Sequence, residues 1–258
     1  MTTKTATWVR ATAATVMVAA VMTALSTGAS GAGLPGAATV SQLSGAPTVF
    51  QLPSAATVAQ AQKAVDTRID LRLKTLSALK IAIGGATNLT SDDKSALSNI
   101  ASADVSGLTA LKTKTDAETT VAAVKADGRT MIVDYRIYML VVPKVRFAIA
   151  SDQESAVITR LQGLHDKLAA IATQLAGQGK DVSPEQAKLA DLTNQLVAAK
   201  SALAGKASGL LGVAPSPDPA VMKAAVAPVR TAVHSARADL KTALADAKAA
   251  GKGLKALA

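Results

Sequence analysis

The chain contains no cysteine. No disulfide can form, so its stability has to come from packing. Nor can a lipid be attached through an N-terminal cysteine. Aromatic residues are almost as scarce, with one tryptophan, two tyrosines and two phenylalanines in 258 residues. None lies in the basic segment 219–258, so a nucleotide base would find nothing there to stack on. Catalytic signatures are missing as well. HExxH, an acid-rich calcium loop and G-x-S-x-G are all absent. The stretch ending in Gly179-Lys180 has Gln174 where a phosphate loop needs its first glycine, and Asp181 where it needs Ser or Thr. The only histidines, His165 and His234, stand beside apolar helix positions and read as flank residues. Acids fall at helical spacing from bases, as with Asp70 and Lys74, which is ordinary surface pairing. No catalytic residue, cofactor site or metal site is assigned, and the reading is non-enzymatic.

Long apolar runs are confined to the N-terminus. "ATAATVMVAAVMTAL" is 15 residues without a charge, short for a membrane span. Lys4 and Arg10 precede it and "STGASGAG" follows. Residues 1–32 therefore read as a secretory signal, with a retained anchor as the alternative. Cleavage would remove Trp8 and leave tyrosine as the fluorophore. Residues 33–54 are uncharged and rich in Gly, Pro, Ser and Thr, which suits a flexible lead-in.

From 55 onward apolar residues recur at helical spacing to the end of the chain. Val58, Ala61, Val65, Ile69, Leu73, Leu76, Leu79 and Ile83 line a first helix that stops at Gly84-Gly85, glycine being suited to a left-handed closing turn. Thr90 or Ser91 can cap a second, with Leu97, Ile100, Val105, Leu108 and Leu111 on its face. Leu161, Leu164, Leu168, Ile171 and Leu175 alternate steps of three and four, as in helices packed side by side. "SPEQ" at 183–186 offers Ser183 as a cap, Pro184 at the first helical position and Gln186 to complete a capping box. Asp218-Pro219 opens a last helix whose heptad runs from Val226 to Leu257, with Pro228 as a candidate kink. The expected fold is all-α: an elongated, antiparallel, coiled-coil-like bundle of five to six helices over 55–258. Its alanine-rich seams bury little area per residue, which leaves room for self-association.

Residues 131–147, "MIVDYRIYMLVVPKVRF", depart from this texture. The uncharged run Ile137–Val142 is too short for a membrane, and no second strand exists for it to pair with. As a helix it places Met131, Tyr135, Tyr138 and Val142 on one face, with Pro143 kinking or breaking it. That predicts the buried centre of the bundle. The sharper alternative is a crevice lined by Met131, Tyr135, Tyr138 and Met139, able to carry a small apolar or lipid-like ligand. The block "DYRIYMLVVPKVR" resembles a Y-x-x-Y-x-L-V-V-P stretch of uncharacterised, secreted, alanine-rich helical proteins of actinobacteria. The likeness covers about 13 residues, with a looser alanine/leucine context over 55–210. It implies export and a helical fold, and brings no activity, substrate or cofactor.

The charge is uneven. Of a formal +10, segment 219–258 holds seven bases against two acids. With Val226 at heptad position a, Lys223, Arg230 and Arg237 fall at e, and Lys241, Lys248 and Lys255 at b. The two positions adjoin, so the six cations form one stripe, while Asp239 and Asp246 fall on the opposite flank. Such a stripe either keeps an alanine-rich helix soluble or offers a strip for a polyanion or acidic membrane. Export would make anionic cell-wall polymer or acidic lipid the partner and nucleic acid a poor one. The expected role is thus a structural or binding protein, secreted or wall-associated.

Overall fold

The computed structural model describes residues 56–258; the expected signal (1–32) and lead-in (33–54) lie outside them. Among the described residues the chain is all-α, with no strand. Helix α1 spans Val58–Gly85, α2 Ser91–Ala117, α3 Val121–Val133, α4 Val142–Ala176, α5 Ser183–Leu203, α6 Lys206–Leu211 and α7 Pro219–Leu257. A π-helical turn, Ile137–Val141, lies between α3 and α4. The helices form two compact units. One holds 56–152 and Gly205–Thr231, the other Gln153–Ala204 and Ala232–Ala258.

In the first unit α1 packs on α2 and α3, and α2 packs on α3 and α6. The spacing of its aliphatic residues explains why α1 is central. Ala61, Val65, Ile69, Leu76, Leu79 and Ile83 are each at most 1 % exposed. Burial of each larger aliphatic side chain contributes about 1.5–3 kcal/mol. Thr57 starts the helix with a reciprocal capping box: Gln60 N donates to Thr57 Oγ1 at 3.3 Å, and Thr57 N to Gln60 Oε1 at 2.9 Å. Thr90 caps α2, accepting from Asp93 N at 3.1 Å.

Four local expectations are corrected. Helix α1 ends at Gly85, where the glycine pair placed its stop, but neither glycine is left-handed. It closes instead at Ala86, in extended geometry (φ −76°, ψ 101°), an exit open to any residue. Ser183 is the first residue of α5, not its cap. Its N–H donates to Asp181 Oδ1 at 3.0 Å, so an aspartate just outside the helix replaces the expected capping box. Asp70 pairs with Lys112 across helices at 2.6 Å rather than with Lys74 on its own. Finally, the chain does not break at Pro143. The break comes earlier, at Asp134–Arg136, and Pro143 is the second residue of α4. It comes just after the π-helical turn, whose closing bond runs from the Val142 N–H to the Ile137 carbonyl, and its fixed φ near −65° suits the α-helix that begins there. Helix α7 likewise continues through Pro228.

The second unit joins the C-terminal parts of α4 and α7 with α5. Leu161, Leu164, Leu168, Ile171 and Leu175 of α4 are buried, as are Leu189, Leu192, Leu196, Ala199 and Leu203 of α5. Alanines on α7, Ala236, Ala243, Ala247 and Ala250, are fully buried among them. Small residues at such positions let helix backbones approach closely.

Candidate functional site

Two features could carry function, the outer face of α7 and the polar surroundings of the aromatic stretch. On α7, Lys223, Arg230, Arg237, Lys241, Lys248 and Lys255 are all exposed. Arg237 is engaged: its Nε lies 2.6 Å from Glu154 Oε1. Among the described residues the other five make no ion pair. The acids of this helix are withdrawn. Asp246, its side chain 14 % exposed, lies 3.4 Å from Lys188 Nζ on α5, and Asp239 is half-buried. A seventh cation, Lys252, is exposed as well. It escaped the pairing of positions e and b because it falls at f, yet it lies four residues from Lys248 and three from Lys255. Neighbours at those spacings share a helix face.

The aromatic stretch is a junction, not one helical face. Arg136 adopts a left-handed backbone (φ 45°, ψ 36°), costly for a residue with a Cβ. It is also 5 % exposed. Its Nε donates to the Ser216 carbonyl at 2.7 Å, and its Nη2 donates to the Pro217 carbonyl. Lys144, 6 % exposed, donates to the carbonyls of Leu211 at 2.9 Å and Val213 at 2.6 Å. Two buried cations thus hold the proline-containing strap 211–217 that leads into α7. In the sequence the two merely flank the uncharged run Ile137–Val142, which gives no hint of this role.

Around them sit two further perturbed groups. Asp104 on α2 has a buried Oδ2 without a hydrogen-bond partner. Burial pushes its pKa up to about 6, against the opposing pull of Lys144. Burial also lowers the Lys144 pKa, with Asp104 acting the other way. Tyr135 is raised by burial and by the nearby Asp104 and Asp134. On the other side, Arg72 is 6 % exposed with its guanidinium 5.2 Å from the Tyr138 ring centre, a cation–π contact. Its Nη1 donates to the Arg68 carbonyl at 3.0 Å. None of these polar roles is periodic, so apolar spacing could not reveal them.

The four residues considered for a crevice divide between two clusters. Met131 is fully buried, and Tyr135 and Tyr138 pack beside it against the α1–α3 core. Met139 packs with Leu140, Leu210, Met222, Val226 and Val229. The left-handed turn at Arg136 rotates 137–141 away from the register that would have aligned all four. Gly107 explains the seat of Tyr135: a Cβ there would fall 2.5 Å from the phenol oxygen and 2.7 Å from a ring carbon. Gly107→Ala gains about 1 kcal/mol of helix propensity but forces the ring out. We expect a net loss of about 1 kcal/mol. Urea titration of this variant, Tyr135→Ala and the double variant should show strong coupling between the sites; additive effects would refute the contact.

His165 Nδ1 lies 3.1 Å from Asp166 Oδ1, and His234 is exposed. Among the described residues no group of three or more His, Cys, Asp or Glu could hold a metal ion. Among them, too, no helix is long and apolar enough to cross a membrane. No family model, curated protein or solved structure matches the chain.

Proposed function

We propose that this is an exported, non-enzymatic helical protein with a structural or binding role at the cell envelope, its basic C-terminal helix contacting anionic material there. The observation that carries the reading is the separation of charge on α7. Lys241, Lys248 and Lys255 are exposed without ion pairs among the described residues, while Asp246 is drawn to Lys188. A helix that merely needed solubility would gain as much from cations and acids intermixed. The basic, apolar, small-residue order of 1–32 supports export, as does the likeness of the Tyr-to-Pro block to secreted actinobacterial proteins. Carriage of an apolar ligand at Met131, Tyr135, Tyr138 and Met139 is the weaker reading, because Met139 packs in a separate cluster.

Co-sedimentation with cell-wall material tests the proposal. The protein should pellet at low salt, release at high salt, and stay in the supernatant when Lys241, Lys248 and Lys255 are changed to Glu. Absent binding, or binding indifferent to salt and to these changes, would sink it.

A further inference from the structure

The cationic face of α7 is exposed while the helix's apolar face is already occupied, and this narrows the partner. Ala236, Leu240, Ala243, Ala247, Ala250 and Leu254 are at most 5 % exposed. Among the described residues of 232–258 no large apolar side chain is exposed. A helix that lies in a bilayer surface must sink such a face into the acyl boundary. Along 232–258 none is free to do so.

What remains outside is charge in single file. Lys241, Lys248 and Lys255 repeat every seven residues, a spacing of about 10.5 Å along the axis. Lys252 lies between the last two, and exposed Ala245 and Ala249 leave the surface between cations low. The row is about 21 Å long and roughly one side chain wide. That shape suits one extended chain carrying regular negative charges. A bilayer presents a plane of headgroups, which rewards cations spread over an area, each worth about 1 kcal/mol near the surface.

We infer that Lys241, Lys248, Lys252 and Lys255 form a binding row for a single linear phosphate polymer lying along α7. The inference rests on the electrostatic role proposed above for this helix and fixes the class of its partner.

The test uses the full chain and long-chain inorganic polyphosphate as the probe, with vesicles of mixed zwitterionic and anionic phospholipid as the competing surface. Four phosphate contacts predict a log–log salt dependence with a slope of about −3. Changing the four lysines to Gln should lower polyphosphate affinity about tenfold or more at low salt and flatten that slope. Lys74→Gln with Lys80→Gln, two exposed lysines of α1 outside the stripe, should leave both nearly unchanged. Far-ultraviolet circular dichroism confirms that the variants stay helical. Polyphosphate binding that survives the four changes would overturn the row. Vesicle binding equal to or tighter than polyphosphate binding would overturn the polymer assignment but leave the envelope role intact. Failure to bind polyphosphate while wall material still pellets the protein would do the same. Failure with all three would remove both proposals.

Discussion

Arg136→Ala should destabilise the unit holding 56–152 and Gly205–Thr231 by about 3 kcal/mol. The guanidinium donates to two carbonyls of the strap, those of Ser216 and Pro217, and a hydrogen bond from a charged donor contributes about 1.5–3 kcal/mol. The lower end applies, because Ser216 is half-buried and Pro217 exposed, so both carbonyls regain water. Two companion variants separate the bonds from the backbone strain. Arg136→Gly loses the same bonds but fits φ 45° without a Cβ clash, so it should be about 1 kcal/mol less damaging than alanine. Arg136→Lys keeps the charge but not the planar fork that reaches two acceptors, and should fall between wild type and glycine. Urea unfolding gives the order directly. Hydrogen exchange should show the largest loss of protection in 205–217. An alanine variant as stable as wild type would mean that the strap is held by something else.

Most of the helical framework was legible because its cause is periodic. The core stripes of α1, α5 and α7 could be read from steps of three and four, since those steps place side chains on one buried face. Where a boundary depended on a single residue, reading by type was less reliable. Gly84 and Gly85 suggested a left-handed stop, but the chain leaves α1 through an extended alanine. The capping box expected at Ser183 is found at Thr57 and Gln60 instead. The aromatic stretch shows why. Its apolar pattern continues through 131–142 and gives no sign of a break. The break is set by long-range bonds from Arg136 to residues 80 and 81 positions away. No local window contains that information. The cationic row on α7 was legible for the opposite reason, as a repeat within one helix. Only the withdrawal of Asp246 to Lys188, which leaves the row uncompensated, needed tertiary structure.

Asp104→Asn should stabilise the protein at pH 7 and do nothing at pH 4. The native carboxyl has a pKa of about 6, against an ordinary 3.8. The folded state therefore holds this proton more tightly than the unfolded chain does. That contribution is fully present below 3.8 and is lost as pH rises through about 6. Above it, an ionised carboxylate with an orphaned Oδ2 sits half-buried on α2. With partial solvent screening, the penalty is about 1–2 kcal/mol at pH 7. Asparagine is close to the protonated acid in shape and carries no charge, so it should abolish the slope of stability between pH 4 and 7 that this group causes. The charged neighbour across the interface is Lys144, with Tyr135 facing the same carboxyl. Lys144→Met removes the one attraction that opposes burial, so it should cost more at pH 7 than at pH 5, where Asp104 is largely protonated. In the Asp104→Asn background that difference should vanish. If Lys144→Met instead costs the same at both pH values, its bonds to Leu211 and Val213 carry its whole effect, and the carboxylate does not sense it.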